Sequence, residues 1–586
     1  MKKFLAIIMV VILSVTLASC GAKEKEKETT NSGTKFKAGT YEGTAKGFGG
    51  DVVATVVLSD EKIEEITVVG SKETEGIGSI AIETLPALIV KSQSVEVDAV
   101  ASATVTSNAV IEAITKALKS AGVDVSTLVA VQDDNTDKKE EVIDVDVVIV
   151  GAGGAGMTAA IELKNAGLNV LIVEKMPMVG GNTIKATGGM NAAETSVQKE
   201  LGIEDSIETF IEDTMVGGYN VNNRDLVTVM AEDSAEAIDW LESIGAPLPE
   251  VSFSGGATNK RIHRPEGGSS VGTYLVEKFK TNLDSLGVEV MLNTTATEIL
   301  TNNGSVVGIK AESSETNYVI NAKAVIMATG GFGANEELYT KYKPELKGYV
   351  TTNTPGATGD GIVMAEAIGA NLVDIEQIQI HPTVEQTTSI MITESVRGGG
   401  AILVNQSGKR FTDELLTRDV VSAAVIAQEG SYSYIIFDQL LRDNLSAIEK
   451  YVDSNITVQG NTIEELAEQI NVDPKTLAET LTTWNEAVAS KNDAEFNRTT
   501  GMDNNTSVGP FYAIKIAPGV HHTMGGVEIN TKSEVISKDG TAIPGLFAAG
   551  EVTGGVHGAN RIGGNAVADI VVFGRVAAKS AIEYIK

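Results

Sequence analysis

Residues 145–150 are apolar except for Asp146, and they run directly into Gly151-Ala152-Gly153-Gly154-Ala155-Gly156. A helical pattern over 155–165 follows, then a strand pattern over 169–173 that ends in Glu174, 23 positions after Gly151. This order restricts the segment to a βαβ unit whose glycine turn lets a pyrophosphate approach the backbone at a helix N-terminus. Glu174 stands where an acidic side chain accepts from ribose hydroxyls. The glycines alone would also suit a strand–helix turn without ligand; the flanking elements and the acidic residue select the dinucleotide reading.

Two later segments bear on which dinucleotide. Ala324-Val325-Ile326-Met327-Ala328-Thr329-Gly330-Gly331-Phe332-Gly333 is a strand ending in a glycine turn, and Ile543-Pro544-Gly545-Leu546-Phe547-Ala548-Ala549-Gly550-Glu551 lies near the C-terminus. Both resemble the secondary flavin-binding motifs of two-dinucleotide flavoproteins, which implies FAD. The chain then leaves the flavin fold and returns to it, so a domain is inserted. Residues expected at FAD are Gly151, Gly153, Gly154, Ala155 and Gly156 in the first turn, with Glu174 and Lys175 after the second strand. Gly181, Asn182, Thr183, Gly188 and Gly189 follow in the next loop, then Thr329, Gly330, Gly331, Asp360, His521, Gly550 and Glu551. Membrane-bound relatives carry a flavin-linked His in that loop; Asn182 and Thr183 stand nearby here, so FAD is expected to be non-covalent.

Charge and cysteine usage exclude other classes. A net charge of −32 argues against a nucleic-acid face, and a single cysteine excludes a disulfide framework, a Cys-rich zinc or iron–sulfur site and C-x-x-C-H haem attachment. No metal site is expected. Lys2 and Lys3 precede an apolar run over 4–17 that ends in Leu17-Ala18-Ser19-Cys20-Gly21, the pattern of a secretory signal. One reading of Cys20 is an incidental thiol in a discarded leader. Leu-Ala-Ser-Cys-Gly resembles the lipobox of bacterial lipoproteins, which implies a signal peptide over 1–19, a lipidated Cys20 and an extracytoplasmic protein anchored to the cell membrane. Residues 20–35 read as a polar tether, 36–130 as a small domain and 131–141 as a linker.

In the small domain, runs at 51–58 and 63–70 read as a hairpin, and helical patterns cover 80–91 and 107–120. Between the helices lies Asp98-Ala99-Val100-Ala101-Ser102-Ala103-Thr104-Val105-Thr106-Ser107. Its chemistry alone favours a Ser/Thr-rich helix cap. The segment also resembles the flavinylation motif of FMN-binding domains, in which a flavin transferase esterifies a Thr to FMN. The resemblance makes Thr104 the acceptor of a covalent FMN and Asp98 the opening residue; Ala101 and Ser102 depart from the residues frequent there.

Five histidines exist, and His263 reads as a core residue. His381, His521, His522 and His557 sit in Gly- or Pro-flanked turns, alongside similar turns that carry Arg397, Arg418 and Arg561. The segments are Gln379-Ile380-His381-Pro382-Thr383, Met391-Ile392-Thr393-Glu394-Ser395-Val396-Arg397-Gly398, Thr417-Arg418-Asp419, His521-His522-Thr523-Met524-Gly525-Gly526 and His557-Gly558-Ala559-Asn560-Arg561. The set resembles the soluble, flavocytochrome-type fumarate reductase family over about residues 141–586. The resemblance implies a proton donor at Arg418, fed through Glu394 and Arg397, and substrate binding by His381, Met391, Thr393, His522 and Arg561. On physical grounds alone Arg418 reads as an electrostatic clamp, because an unperturbed guanidinium has a pKa of about 12.5–13.8.

The expected architecture is α/β. A FAD-binding Rossmann-like domain (142–375 and 522–586) carries an inserted α+β clamp domain (376–521), and a small α+β FMN-binding domain precedes both. The family's flavocytochromes feed electrons through N-terminal haems, which this chain cannot hold, so FMN is expected to relay electrons to FAD. The expected substrate is a small unsaturated carboxylate, fumarate before urocanate, methacrylate or cinnamate, because His381 and Thr393 keep the grip on a distal carboxylate. An electron-transfer lipoprotein with a vestigial second domain is the reading from another class. The membrane electron donor is not legible.

Overall fold

The computed structural model describes residues 36–73, 78–97, 99–100, 103–128, 138–253 and 255–586, with the backbone alone described at Ile80, Thr104, Ser126 and Gly268. The expected signal peptide, Cys20, the tether, most of the linker and Asp98, Ala101 and Ser102 lie outside the described residues.

The first unit is an antiparallel sheet of β1 (Gly39–Lys46), β2 (Asp51–Leu58) and β3 (Ile63–Val69), in that order. Strict alternation in β2 buries Val52, Ala54, Val56 and Leu58 on one face, as a half-covered strand requires. Two helices cover that face, α1 (Gly78–Ser92) and α2 (Thr104–Ser120). In α2, Val110, Ala113, Ile114 and Ala117 form the buried stripe. The backbones of α2 and β1 meet at Gly43, where a Cβ would lie 2.1 Å from the Ala113 carbonyl.

Helix α2 begins three residues earlier than its sequence pattern suggests. The Ser107 amide already donates to the Ala103 carbonyl at 2.7 Å, so β-branched residues that read as a turn are held helical. The cap position is Ala103, which makes no side-chain hydrogen bond. The Ser/Thr-rich cap is therefore not what this segment builds.

The second unit centres on an eight-stranded sheet. Its parallel centre contains β4 (Lys139–Val150), β5 (Val170–Val173), β6 (Glu289–Met291) and β7 (Thr316–Met327), ordered β7-β4-β5-β6. Val147–Val150 and Val170–Val173 are buried, the continuous apolar run of strands covered on both faces. Strand β4 starts six residues before the stretch read from sequence, because residues 139–144 pair in parallel with 316–321 of β7. Helix α3 (Gly154–Asn165) leaves the glycine turn and packs on the C-terminal helix Asn565–Ile585. The strand Ala542–Ala548 returns to pair with β7, so the chain does leave this sheet and rejoin it.

Between those points lies a separate five-stranded sheet built around β8 (Phe511–Thr523). The first half of β8 pairs with Ser433–Asp438 and Val458–Gly460, and its second half with Ile378–Val384. The boundary expected at 521/522 thus falls inside one continuous strand. Beside this sheet, Arg410, Glu414, Asp493 and Arg498 are buried around Trp484. Arg410 reaches Glu414 at 2.9 Å and Asp493 at 3.0 Å, Arg498 reaches Glu414 at 2.8 Å, and both guanidinium groups lie within 4.7 Å of the Trp484 ring. Removing one member would strand a buried charge, at a cost of about 3–5 kcal/mol.

Candidate active site

A groove partly open to solvent runs over the first glycine turn. It is lined by Gly151, Gly153, Gly154 and Ala155, by Glu174 and Lys175, and by Gly181, Asn182 and Thr183. Thr329, Gly330, Asp360, Gly550 and Glu551 complete the part read from sequence. Gly151 has φ +106°, and a Cβ there would lie 2.4 Å from the Ala328 carbonyl, so only glycine suits the turn. Glu174 accepts from the amides of Ala152 and Met176 at 2.8 Å each, and burial pushes its carboxyl above the usual range. Lys175 pairs with Asp360 at 2.5 Å.

These residues fit FAD. The open α3 N-terminus and the glycine turn suit a pyrophosphate. The Thr329 hydroxyl is buried without a protein partner on the groove wall. Asn182 is tied to Asn353 at 2.6 Å and Glu551 at 3.2 Å, in the loop where a histidine would be needed for a covalent link.

Five residues expected at the cofactor do not line the groove. A Cβ on Gly156 would lie 2.0 Å from the Gly151 carbonyl, on Gly189 2.3 Å from the His263 carbonyl, and on Gly331 2.0 Å from the Thr523 hydroxyl. At each of these glycines the surrounding chain packs too closely for a side chain. Gly188 faces Ile262. His521 lies with the residues described next. Conversely, Thr294, Ala296, Thr354, Gly356, Ala357, Met364 and Ile570 line the groove without a sequence signal.

The second cluster gathers between the two sheets. Helix Glu394–Gly398 opens with Glu394 and carries Arg397 one turn later, and helix Arg418–Ile426 opens with Arg418. Arg418 Nε donates to Glu394 at 2.6 Å, and its Nη1 donates to Gln379 Oε1 at 2.9 Å. Arg561 Nη2 reaches the same Gln379 oxygen at 3.3 Å, while Gln379 Nε2 donates to the Arg561 carbonyl at 2.9 Å. Gln379, quoted above as a neighbour of His381, is thus the buried bridge between the two arginines. Arg397 Nη2 stands 3.9 Å from Glu394, and its Nη1 donates to the Glu414 carbonyl at 2.6 Å. The buried charge cluster therefore anchors Arg397, a connection no motif revealed.

His381 is buried, with Nε2 4.0 Å from Glu394. The Thr393 hydroxyl accepts from Thr187 at 3.3 Å, and the Thr393 amide donates to the Tyr451 hydroxyl at 2.9 Å. Met391 bridges to Val384 beside them. The pairing shifts register here, with His522 opposite Gln379 and Val520 opposite Ile380, so His521 is the extra residue of an irregularity in β8, and the two rings part. The His521 ring lies 5.2 Å from that of His381, whereas His522 packs 5.4 Å from His557, which in turn meets Asp569 at 3.1 Å. His521, expected at the cofactor, stands with the carboxylate-gripping cluster. His522, expected at the substrate, stacks on its other side, with Nδ1 buried and unpartnered.

Electrostatics support an anion site. Among the described residues, buried atoms without a protein hydrogen bond include His381 Nε2, His522 Nδ1, Arg561 Nε, and Arg397 Nε and Nη2. Burial works to raise the pKa of Glu394, but Arg418, Arg397 and Arg561 outweigh it and hold the carboxyl down at about 2. Burial, then the charge of Arg418, pushes Arg561 down to about 9. His381, His521 and His522 are pushed well below the ordinary histidine value by burial and then by neighbouring arginines. All three are neutral at pH 7. Affinity for succinate, read from the flavin difference spectrum, is accordingly expected to show no histidine inflection between about pH 5.5 and 7. An inflection near 6.5 would contradict neutral histidines.

Residues 146–567 match the family model described as FAD binding domain, and residues 47–119 that of the FMN-binding domain. The chain is 44% identical over 548 residues to an NADH:fumarate oxidoreductase of Klebsiella pneumoniae, covering 93% of this chain and 59% of that protein. It is 38% identical over 593 residues to a urocanate reductase of Eggerthella lenta, covering 97% and 96%. A flavocytochrome c3 fumarate reductase in an open conformation superposes with a TM-score of 0.67 at 44% identity, covering 76% of this chain and 79% of the other.

Proposed function

Because the chain belongs to the fumarate reductase family of FAD-binding flavoproteins, with an FMN-binding domain ahead of the FAD-binding one, we propose that it reduces fumarate to succinate outside the cytoplasm. At the coarser level the family makes it a flavin oxidoreductase acting on CH–CH bonds. The observation that carries the fumarate reading is the shape of the cation cluster. Arg561 lies on one side of Arg418 through Gln379, and His381 and Thr393 lie beyond Glu394 on the other. A planar dicarboxylate bound there has each carboxylate on a separate grip and its double bond beside Arg418.

Bound FAD supplies the hydride to one alkene carbon. The chain's own residues do the rest. Arg561 offers a carboxylate its unpartnered Nε, a geometry suited to bidentate binding. His381 and His521 bind as neutral donors. Arg418 has Nε on Glu394 and Nη1 on Gln379, which leaves Nη2 to give its proton to the second carbon. Arg397 passes a proton to the Glu394 carboxylate, which hands it on to Arg418, and Arg397 takes its replacement from solvent. Positioned donors stabilise the charge that develops on the conjugated carboxylate.

Urocanate is the second reading, favoured by a relative matched over nearly the whole length of both chains. It lacks a second carboxylate for the His381–Thr393 end. Steady-state assays with a reduced viologen donor separate the two: fumarate consumption with succinate as product supports the first, and preferential urocanate reduction overturns it.

The FMN is proposed to be esterified to Thr104, the first residue of α2. In cells that carry a flavin transferase, mass spectrometry is expected to show one FMN adduct, absent in Thr104→Ala; an adduct in the variant would reject the assignment. Anchoring through a lipidated Cys20 is expected to place the protein in the membrane fraction, with Cys20→Ala released or unprocessed. A wild-type protein found free in the medium would contradict the anchor.

A further inference from the structure

Two lysines that the relay and the grips do not use flank the His381–Thr393 end of the cleft. Lys185 ends the turn Gly181–Lys185, and its ammonium donates to the carbonyls of Thr352 at 3.1 Å and Asn353 at 3.2 Å. The Thr352 hydroxyl meets Nδ1 of His521 at 2.8 Å, and that ring packs on His381. On the other side, Lys450 precedes Tyr451 in helix Ala447–Asp453, and Tyr451 is the residue that holds the Thr393 amide. Thr187, two residues after Lys185, donates to the Thr393 hydroxyl. Each lysine is therefore two hydrogen-bonded or covalent steps from a residue that meets the distal carboxylate.

Neither side chain forms an ion pair with a carboxylate of the described residues. In a chain of net charge −32, two ammonium groups left without a carboxylate near one end of a cleft are an unusual use of cations. The surrounding protein pushes Lys185 down to about 8, and the charge of Lys450 adds to that. Like charges held together at a cleft lip repel, and an anion arriving between them relieves the repulsion.

We propose that Lys185 and Lys450 are specificity-determining cations, charging the His381–Thr393 end so that an enoate with a second carboxylate is bound in preference to one without. This rests on the enoate-reductase reading above. A monocarboxylate held by Arg561 leaves the far end empty and the lysines uncompensated. A dicarboxylate fills it. The lysines act on binding at long range, so their effect weakens as salt screens them.

The test uses the flavin-loaded protein with Lys185→Met and Lys450→Met, singly and together, because Met keeps a long apolar stem without charge. Fumarate and acrylate are compared by KM with a viologen donor at low salt, and succinate and propionate by equilibrium binding. The double variant is expected to raise the fumarate KM about tenfold and the acrylate KM less than threefold, with succinate and propionate affinities changing in the same proportion. Lys185→Arg and Lys450→Arg are expected to restore the preference. Equal losses for both ligands would make Lys185 a brace for residues 352–353 and overturn the proposal, as would an unchanged ratio. A wild-type protein that reduces neither enoate rejects the functional reading instead, and the succinate–propionate comparison still reads the lysines.

Discussion

Arg418→Ala is expected to lower fumarate turnover by at least about 10³-fold, equivalent to about 4 kcal/mol of lost transition-state stabilisation. FAD content is expected to stay normal, since Arg418 does not line the cofactor groove. Affinity for succinate is expected to change modestly, because a group that acts mainly in the transition state lowers kcat more than it weakens ground-state binding. The variant also strips Glu394 of the largest influence lowering its pKa, so that carboxyl rises. Arg418→Lys is expected to retain partial activity, because an ammonium still donates a proton although it cannot hold Glu394 and Gln379 together. Steady-state kinetics with a viologen donor check both variants. Near-normal turnover in Arg418→Ala would reject the donor role.

Arg561→Ala is expected to act differently, raising the KM for fumarate by about 10²-fold or more while kcat also falls. The side chain is buried, and its Nε has no partner in the protein. Its removal leaves a substrate carboxylate desolvated without its cation, a cost of about 2–4 kcal/mol when a charged hydrogen bond is lost in a dry site. Gln379 also loses the Nη2 contact that aligns it with Arg418, so proton delivery suffers with binding. Succinate titration distinguishes the cases: affinity that survives Arg561→Ala would move the carboxylate grip elsewhere.

Motifs that demand a particular backbone were legible in the sequence. The glycine turn, Glu174, the 324–333 strand and the return near 543–551 each carry a local requirement, and the fold assembles them in one sheet and one groove. The arginine and histidine turns were legible as a set because each side chain sits in its own short Gly- or Pro-flanked segment. Contacts made only by the tertiary fold were not. Thr354, Met364 and Ile570 reach the groove from segments without periodic or motif signal. Glycine has two uses, close approach to a ligand and close packing of chain on chain, and the sequence cannot separate them; Gly156, Gly189 and Gly331 show the second. Two adjacent histidines cannot be assigned to sides until the strand's register is known, and β8 turned His521 toward His381 and His522 away. The cluster of Arg410, Glu414, Asp493 and Arg498 joins residues up to 88 positions apart and carries no motif, although it anchors Arg397.

The central claim is that this cleft reduces an unsaturated dicarboxylate with electrons held on its FAD. It is tested most directly by mixing the anaerobic, dithionite-reduced protein with fumarate, urocanate, methacrylate, cinnamate or acrylate and following the return of oxidised-flavin absorbance. Fumarate is expected to give the fastest reoxidation by at least about tenfold, with succinate recovered in proportion to flavin and the fast phase missing in Arg418→Ala. Reoxidation by urocanate or a monocarboxylate faster than by fumarate, or a fast phase that survives Arg418→Ala, would contradict the account.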